Sequence, residues 1–125
     1  MFDDIPNKTP AIEPPQSLTW PELGPSCEIN QFYTHFESAS GFIGAGYIEV
    51  WERALLPETQ RSAAVVYPGS FRFFASDGGG NMFGVTITEE GVKYLSAPNI
   101  GGLEDVRYFD SWSDLLAAIR DFNYI

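Results

Sequence analysis

Residues 71–85 read FRFFASDGGGNMFGV, and this stretch decides the fold. Aromatic residues crowd its first half, and apolar residues alternate from Met82 onward, so the pattern predicts two strands that flank one turn. Glycine adopts a positive φ without a steric clash, and an aspartate can fold its carboxylate onto nearby backbone N–H groups. The predicted structural turn consists of Ser76, Asp77, Gly78, Gly79 and Gly80. We expect valine in place of Gly79 to lower the stability.

A glycine-rich loop can also cradle a phosphate, and two places in the chain invite that interpretation. In a phosphate-binding loop, lysine and serine or threonine follow the glycines, and a helix begins there whose N terminus holds the anion. Here Asn81 and a strand pattern follow Gly80. Gly44 and Gly46 likewise precede a strand pattern and follow a helix pattern. In the dinucleotide-binding arrangement the glycines follow a strand and begin a helix, so the order here is reversed. A nucleotide site is therefore disfavoured at both places.

The composition indicates one acidic domain that spans residues 1–125. The chain has seven lysines and arginines and seventeen aspartates and glutamates, which gives a formal net charge of −10 at pH 7. Such a surface repels nucleic acid and attracts a basic protein. The attraction raises the association rate more than it raises the affinity. The expected partner is a basic protein, with neither nucleic acid nor a membrane, and the sequence leaves the oligomeric state open.

The residues that most often build metal sites and nucleophiles are scarce. The chain has one cysteine and one histidine, Cys27 and His35, which excludes an internal disulfide and leaves little for a zinc site. Eight residues along a predicted helix separate these two by about 12 Å, too far for a nucleophile and its base. We therefore expect no metal site. No secretory signal or membrane-spanning run is visible, which favours the cytoplasm.

The first half of the chain is predicted to contain an arm, a helix and a strand. Six of the nine prolines lie in residues 1–25, which predicts a mostly irregular arm fastened by apolar side chains, with one helical turn near Trp20. Apolar spacing predicts a helix over about residues 27–38, a turn over 41–46 and a strand over 47–51. A short helix broken by Pro57 and a loop over 60–69 then lead to the hairpin.

The second half is predicted to complete the sheet and add a closing helix. After the hairpin, strands are predicted over residues 92–95 and 105–109, separated by a loop. Ser111 has the spacing of a helix cap, and the buried face of the last helix is predicted to comprise Trp112, Leu115, Leu116, Ile119 and Phe122. The predicted fold class is α+β, with a single antiparallel sheet of about four to six strands flanked by a helix in the N-terminal half and a C-terminal helix.

Several segments follow one another in a recognisable order. A helix with an aromatic face precedes GFIG at 41–44, YIEVW at 47–51, FASDGGG at 74–80, APNIG at 97–101 and FDSW at 109–112. Over about residues 23–123 this order resembles the SUKH superfamily, which includes the domain of the fungal cell-wall assembly regulator and many bacterial immunity proteins. Members usually begin with a further helix, where this chain has its proline-rich arm, and tend to carry Asn-Gly where it has Ser40 and Gly41.

The resemblance implies a non-catalytic protein that binds and neutralises a secreted toxin, often a nuclease, and it implies no cofactor. Two alternatives stay open at this point. The broader superfamily also permits a cytosolic regulatory or scaffold domain without a toxin partner. A hydrolase that uses a pair of carboxylates is the third hypothesis. Its candidate acids are Glu49, Glu52, Asp77, Glu89 and Glu90.

The predicted partner surface lies where the strand at 47–51 leaves the sheet. Trp51 would anchor a basic partner there, with acids steering the encounter. The competing interpretation places Trp51 in the core, because large aromatic residues are mostly buried. The proposed surface consists of Glu49, Trp51, Glu52, Asp77 and Asn81.

Overall fold

Seven antiparallel strands form one sheet in which every strand lies beside its neighbours in the sequence. The computed structural model describes residues 2–11, 17–67, 69 and 71–125. The strands are β1 (Asn7–Pro10), β2 (Phe36–Ile43), β3 (Gly46–Val50), β4 (Arg72–Ser76), β5 (Asn81–Thr88), β6 (Gly91–Pro98) and β7 (Arg107–Phe109).

Within the described residues, three α-helices and three short 3-10 helices connect or cover these strands. The α-helices are α1 (Glu28–His35), α2 (Leu56–Ala64) and α3 (Trp112–Arg120), and the 3-10 helices span Pro21–Leu23, Arg53–Leu55 and Leu103–Asp105. Ser111 accepts a hydrogen bond from the backbone N–H of Asp114 at 3.1 Å and thereby caps α3 as the sequence predicted.

The sheet is covered on both faces. Residues of α1 and α3 form the larger apolar cluster with one face, where Phe74 and Tyr94 lie beneath Trp112. A smaller cluster on the other face joins α2 to the sheet through Ala63, Tyr67, Phe73, Met82, Leu95 and Ala97. Because α2 spans only part of the second face, the β1–β3 end of that face stays open, and Phe42 there is 69% exposed.

The sheet is larger than the four to six strands expected from the sequence. The arm is more ordered than expected, because Asn7–Pro10 pairs with β2 as an edge strand, where a proline needs no partner for its missing N–H. The predicted helix ends earlier, at His35, and β2 follows at once. A turn was predicted over 41–46, whereas β2 continues through Ile43. Its buried residues Ala39, Gly41 and Ile43 do alternate, but the glycine hides this alternation in the sequence.

Pro57 does not break the second helix, because it lies in the first turn, where a proline is tolerated. The helix therefore continues through Ala64, across part of the predicted loop. Strand β6 extends to Pro98, beyond the predicted end at residue 95. In α3 four of the five predicted face residues are buried, whereas Phe122 lies past the helix end with a φ of 53° and is 54% exposed.

Two close approaches fix the arm and the last helix. Asn30, which is buried, bonds the backbone N–H and C=O of Trp20 at 3.0 and 2.9 Å, so it ties the arm to α1. At Gly46 the backbone of α3 comes so near that an added Cβ would lie 2.0 Å from the carbonyl oxygen of Ile119. The first contact explains the ordered arm, and the second explains why a glycine begins β3.

Candidate functional site

Two adjoining depressions mark the second face of the sheet beside α2. They share the side chains of Glu49, Trp51 and Leu55, and we call them together the Trp51 groove. The strand side, of about 600 Å³, continues over β1 and β2 past Asn7, Ser38, Ser40 and Tyr47. The helix side, of about 660 Å³, lies between α2 and the β4–β5 turn and is lined by Glu58, Ser76, Gly78, Gly79 and Asn99.

The alternation of β3 places the shared residues in the groove. Ile48 and Val50 point into the larger cluster, so Glu49 and Trp51 point to the opposite face. The backbone of Trp51 is held on both sides, because its N–H donates to the carbonyl of Phe74 at 2.9 Å and its carbonyl accepts from the hydroxyl of Tyr33 at 2.7 Å. Trp51 is thus fixed in position, and its indole is half-buried against both apolar clusters.

The acids of the groove form no ion pair within the described residues. Within the described ranges, ion pairs join Arg72 to Glu22, Lys93 to Glu90 and Asp110, and Arg120 to Asp4, and none of them uses Glu49, Glu52 or Glu58. Glu49 and Glu52 are exposed, as is Glu58 on α2. The one basic residue that lines the strand side, Lys8, donates to the carbonyl of Ile5 at 2.6 Å.

Asp77 is the centre of the hydrogen bonds in the β4–β5 turn. Its carboxylate accepts from the N–H groups of Gly79 and Asn81 at 2.8 and 3.1 Å, and from the side-chain amide of Asn81 at 2.9 Å. It also accepts from the hydroxyl of Tyr124 at 2.9 Å. Partial burial by itself would raise the pKa of Asp77, but these hydrogen bonds outweigh it and hold the pKa below its ordinary value.

The side chains of Asp77 and Asn81 point away from the Trp51 groove. Ser76 lies opposite Glu49 in the sheet and lines the groove, so the next residue points to the other face. There the Asp77 carboxylate meets Tyr124, whose ring packs on Phe83 at 5.0 Å under the larger cluster. The structure therefore brings Glu49, Trp51 and Glu52 together, while the turn reaches the groove through Gly78 and Gly79.

The three glycines of the turn are not equivalent. Gly78 has a φ of 77°, and an added Cβ would lie 3.3 Å from the ring of Tyr47. At Gly79 an added Cβ would meet only the side chain of Asp77, at 3.4 Å, and at Gly80 it would meet nothing within 4 Å. The positive φ thus favours glycine at position 78, whereas at position 79 a Cβ fits beside Asp77, and the lower stability of Gly79→Val stays a prediction.

Sequence reasoning missed Tyr124, Leu55 and Glu58. Tyr124 lies past α3, and no local pattern links it to Asp77, 47 residues earlier. Glu58 and Leu55 flank Pro57, which we had expected to break the helix, although a proline near a helix start was the available signal. Their place in the groove follows from the packing of α2 on the sheet.

The residues with nucleophilic or metal-binding chemistry do not gather. In the part of the chain that the structure describes, no group of three or more His, Cys, Asp or Glu side chains is arranged to hold a metal ion. Cys27 is buried with its sulfur 3.5 Å from the hydroxyl of Tyr94, whereas His35 is exposed at the end of α1. Of the acids considered for a hydrolase, Glu89 and Glu90 lie in the β5–β6 turn, at the far end of β5 from Asn81.

No protein-family model, curated protein or solved structure matches the chain. The resemblance to the SUKH superfamily therefore depends on the sequence segments alone. No helix of the described ranges combines the length and the apolar character needed to cross a membrane.

Proposed function

We propose that this chain is a non-catalytic binding protein of the immunity type, which neutralises a basic toxin domain in the cytoplasm by binding it at the Trp51 groove. The toxin of such a pair is often a nuclease, whose own cleft is basic because it attracts phosphate. An acidic groove is complementary to such a cleft.

One observation carries the proposal. A half-buried indole that both apolar clusters hold in place is flanked by Glu49 and Glu52, neither of which is used in an ion pair of the described residues. Tryptophan is enriched among the residues that dominate protein interfaces, and acids around it would steer a basic partner. The arrangement supplies both an anchor and a complementary charge.

Apolar surface next to the groove supports a protein partner. Phe42 is 69% exposed and contacts Tyr47 with their ring centroids 5.1 Å apart. Tyr47 lines the strand side of the groove. The Phe42–Tyr47 pair therefore adds exposed aromatic surface beside the groove acids. Aromatic residues are enriched at protein interfaces. A partner that covers the strand side would bury this pair as well.

Charge reversal in the groove tests the proposal. The double variant Glu49→Lys, Glu52→Lys is expected to associate about tenfold more slowly at low salt with the toxin domain encoded beside its gene, because the steering field is lost. Its association rate should also depend less on salt than that of the wild type. Stopped-flow kinetics at several NaCl concentrations measure both quantities.

A matched double variant controls for net charge. Glu89 and Glu104 are exposed and lie outside the groove, so Glu89→Lys, Glu104→Lys changes the net charge equally. We expect this variant to keep most of the wild-type rate. An equal slowing in both double variants would show that only net charge matters, and no slowing in the groove variant would place the interface elsewhere.

A further inference from the structure

The helix side of the Trp51 groove combines an aromatic ring with acids from two elements. Glu49 and Trp51 come from β3 and its end, whereas Glu58 comes from α2. Gly78 and Gly79 line the same depression without side chains that would fill it. A ligand on the indole would thus lie in the same depression as both carboxylates.

We propose that the helix side of the Trp51 groove receives an arginine side chain of the basic partner. This inference depends on the proposed function, which it makes more specific. A guanidinium is planar, so it stacks on an indole, and its donors form a fork that reaches carboxylates in different directions. A lysine ammonium is a compact and strongly hydrated charge, which fits a single carboxylate as well as a pair.

The charges of the chain itself favour an external cation. Six of the seven basic residues contact other parts of the described chain. They are Lys8, Arg53, Arg72, Lys93, Arg107 and Arg120. None of the ion pairs among the described residues uses Glu49 or Glu58. These two acids, which line the depression together with Trp51, are thus left for a cation that the partner supplies.

The size of the depression fits a side chain together with its flanking backbone. Its volume of about 660 Å³ exceeds that of one arginine side chain. Ligand pockets commonly enclose about 300–1,000 Å³. The arginine would enter on an exposed segment of the partner, whose backbone lies along the groove between α2 and the β4–β5 turn.

Two peptides of equal charge test the inference. The ¹⁵N-labelled protein is titrated with hexa-arginine and with hexa-lysine at the same ionic strength, and NMR follows the Trp51 indole N–H and the amides of Gly78 and Gly79. We expect hexa-arginine to bind roughly three- to fivefold more tightly, since stacking on an aromatic ring that solvent can reach has about this effect. Its largest shifts should occur at those three residues.

Variants assign the preference to the groove. Trp51→Leu should abolish the difference between the two peptides, and Glu58→Gln should weaken hexa-arginine binding more than Glu89→Gln, which removes the same charge outside the groove. Thermal melting first checks that each variant is folded. If Trp51→Leu is unfolded, the comparison of Glu58→Gln with Glu89→Gln decides alone, because both side chains are exposed.

The outcomes separate this inference from the proposed function. Equal affinity and equal shifts for both peptides would overturn the arginine preference, while the basic partner of the proposed function would remain. Shifts confined to residues outside the groove, with either peptide, would overturn both. An arginine preference that survives in Trp51→Leu or is unaffected by Glu58→Gln would place the arginine site elsewhere.

Discussion

Asp77 joins two parts of the chain that are distant in sequence. Its carboxylate binds the backbone of its own turn and the hydroxyl of Tyr124, so one side chain shapes the hairpin and holds the segment after α3. Burial is the larger cause that raises the pKa of Tyr124, and the bond to Asp77 raises it further. The proton therefore stays on the phenol, and the charge stays on Asp77.

Replacement of Asp77 by asparagine is expected to destabilise the protein in a pH-dependent way. We expect a loss of about 1–2 kcal/mol at pH 7, at the low end for charged hydrogen bonds because the carboxylate is partly exposed. The folded pKa lies below the ordinary value of 3.8, so this contribution is present above pH 3.8 and is lost as the pH falls through the folded pKa. Urea unfolding between pH 7 and pH 3 should show the wild type and Asp77→Asn converging.

The exposed Asp3 offers the matched change. Asp3→Asn removes the same charge without a hydrogen bond of this turn, so its stability curve should run parallel to the wild type. A constant gap between the wild type and Asp77→Asn across the whole pH range would contradict the assignment of the carboxylate as the source of the stability.

At the level of elements, α3 determines how the β2–β3 turn is built. The backbone N–H of Ala45 donates to the carbonyl of Arg120 at 2.9 Å, and Gly46 lies against the last turn of the helix. The helix end and the turn therefore pack backbone to backbone. A side chain at Gly46 would push α3 away from the sheet.

We expect Gly46→Ala to lower the free energy of unfolding by about 3 kcal/mol, because the added methyl group overlaps the carbonyl of Ile119 and cannot be accommodated without moving α3. The matched variant is Gly80→Ala, whose Cβ would meet nothing within 4 Å. Thermal or urea unfolding compares the two. A loss below about 1 kcal/mol at Gly46, or similar losses at both sites, would contradict the close approach of helix and turn.

Elements with a strong local pattern could be predicted from the sequence, and those made by tertiary contacts could not. The β4–β5 hairpin and α3 carry aromatic alternation and a capped helical face, and both form where they were predicted. Strand β1 contains a proline, and β2 contains two serines and a glycine, so neither has a strong strand pattern in its sequence. Pairing with the neighbouring strands is what makes these segments extended. Glu49, Trp51 and Glu52 were found because they are neighbours in sequence, whereas the contribution of Glu58 needed the position of α2.

In the molecule as a whole, most basic side chains contact other residues, whereas most acids of the described residues form no ion pair. Most basic residues contact the chain, yet only Glu22, Glu90, Asp110 and Asp4 form ion pairs among the described acids. The net charge of −10 thus comes mainly from carboxylates that form no ion pair. Self-repulsion of this kind opposes the folded state.

We therefore expect salt to stabilise the protein at neutral pH. Raising NaCl from about 10 mM to about 500 mM should increase the melting temperature by roughly 3–5 °C, because the Debye length falls below the spacing of the acids. Scanning calorimetry at pH 7 measures the shift. Near the pI of about 4.2 the net charge vanishes, so the same salt increment should change the melting temperature little. A salt-induced decrease at pH 7 would mean that the ion pairs outweigh the repulsion.

The order of the sheet has a consequence for synthesis on the ribosome. Every strand pairs with the one made just before it, so the sheet can grow strand by strand as the chain emerges. The helix that covers Phe74 and Tyr94 with Trp112 is made only after all the strands of the described residues. Until then the part of this face that Trp112 covers is exposed, and a chain that stops before residue 112 would keep Phe74 and Tyr94 open to aggregation or to chaperones.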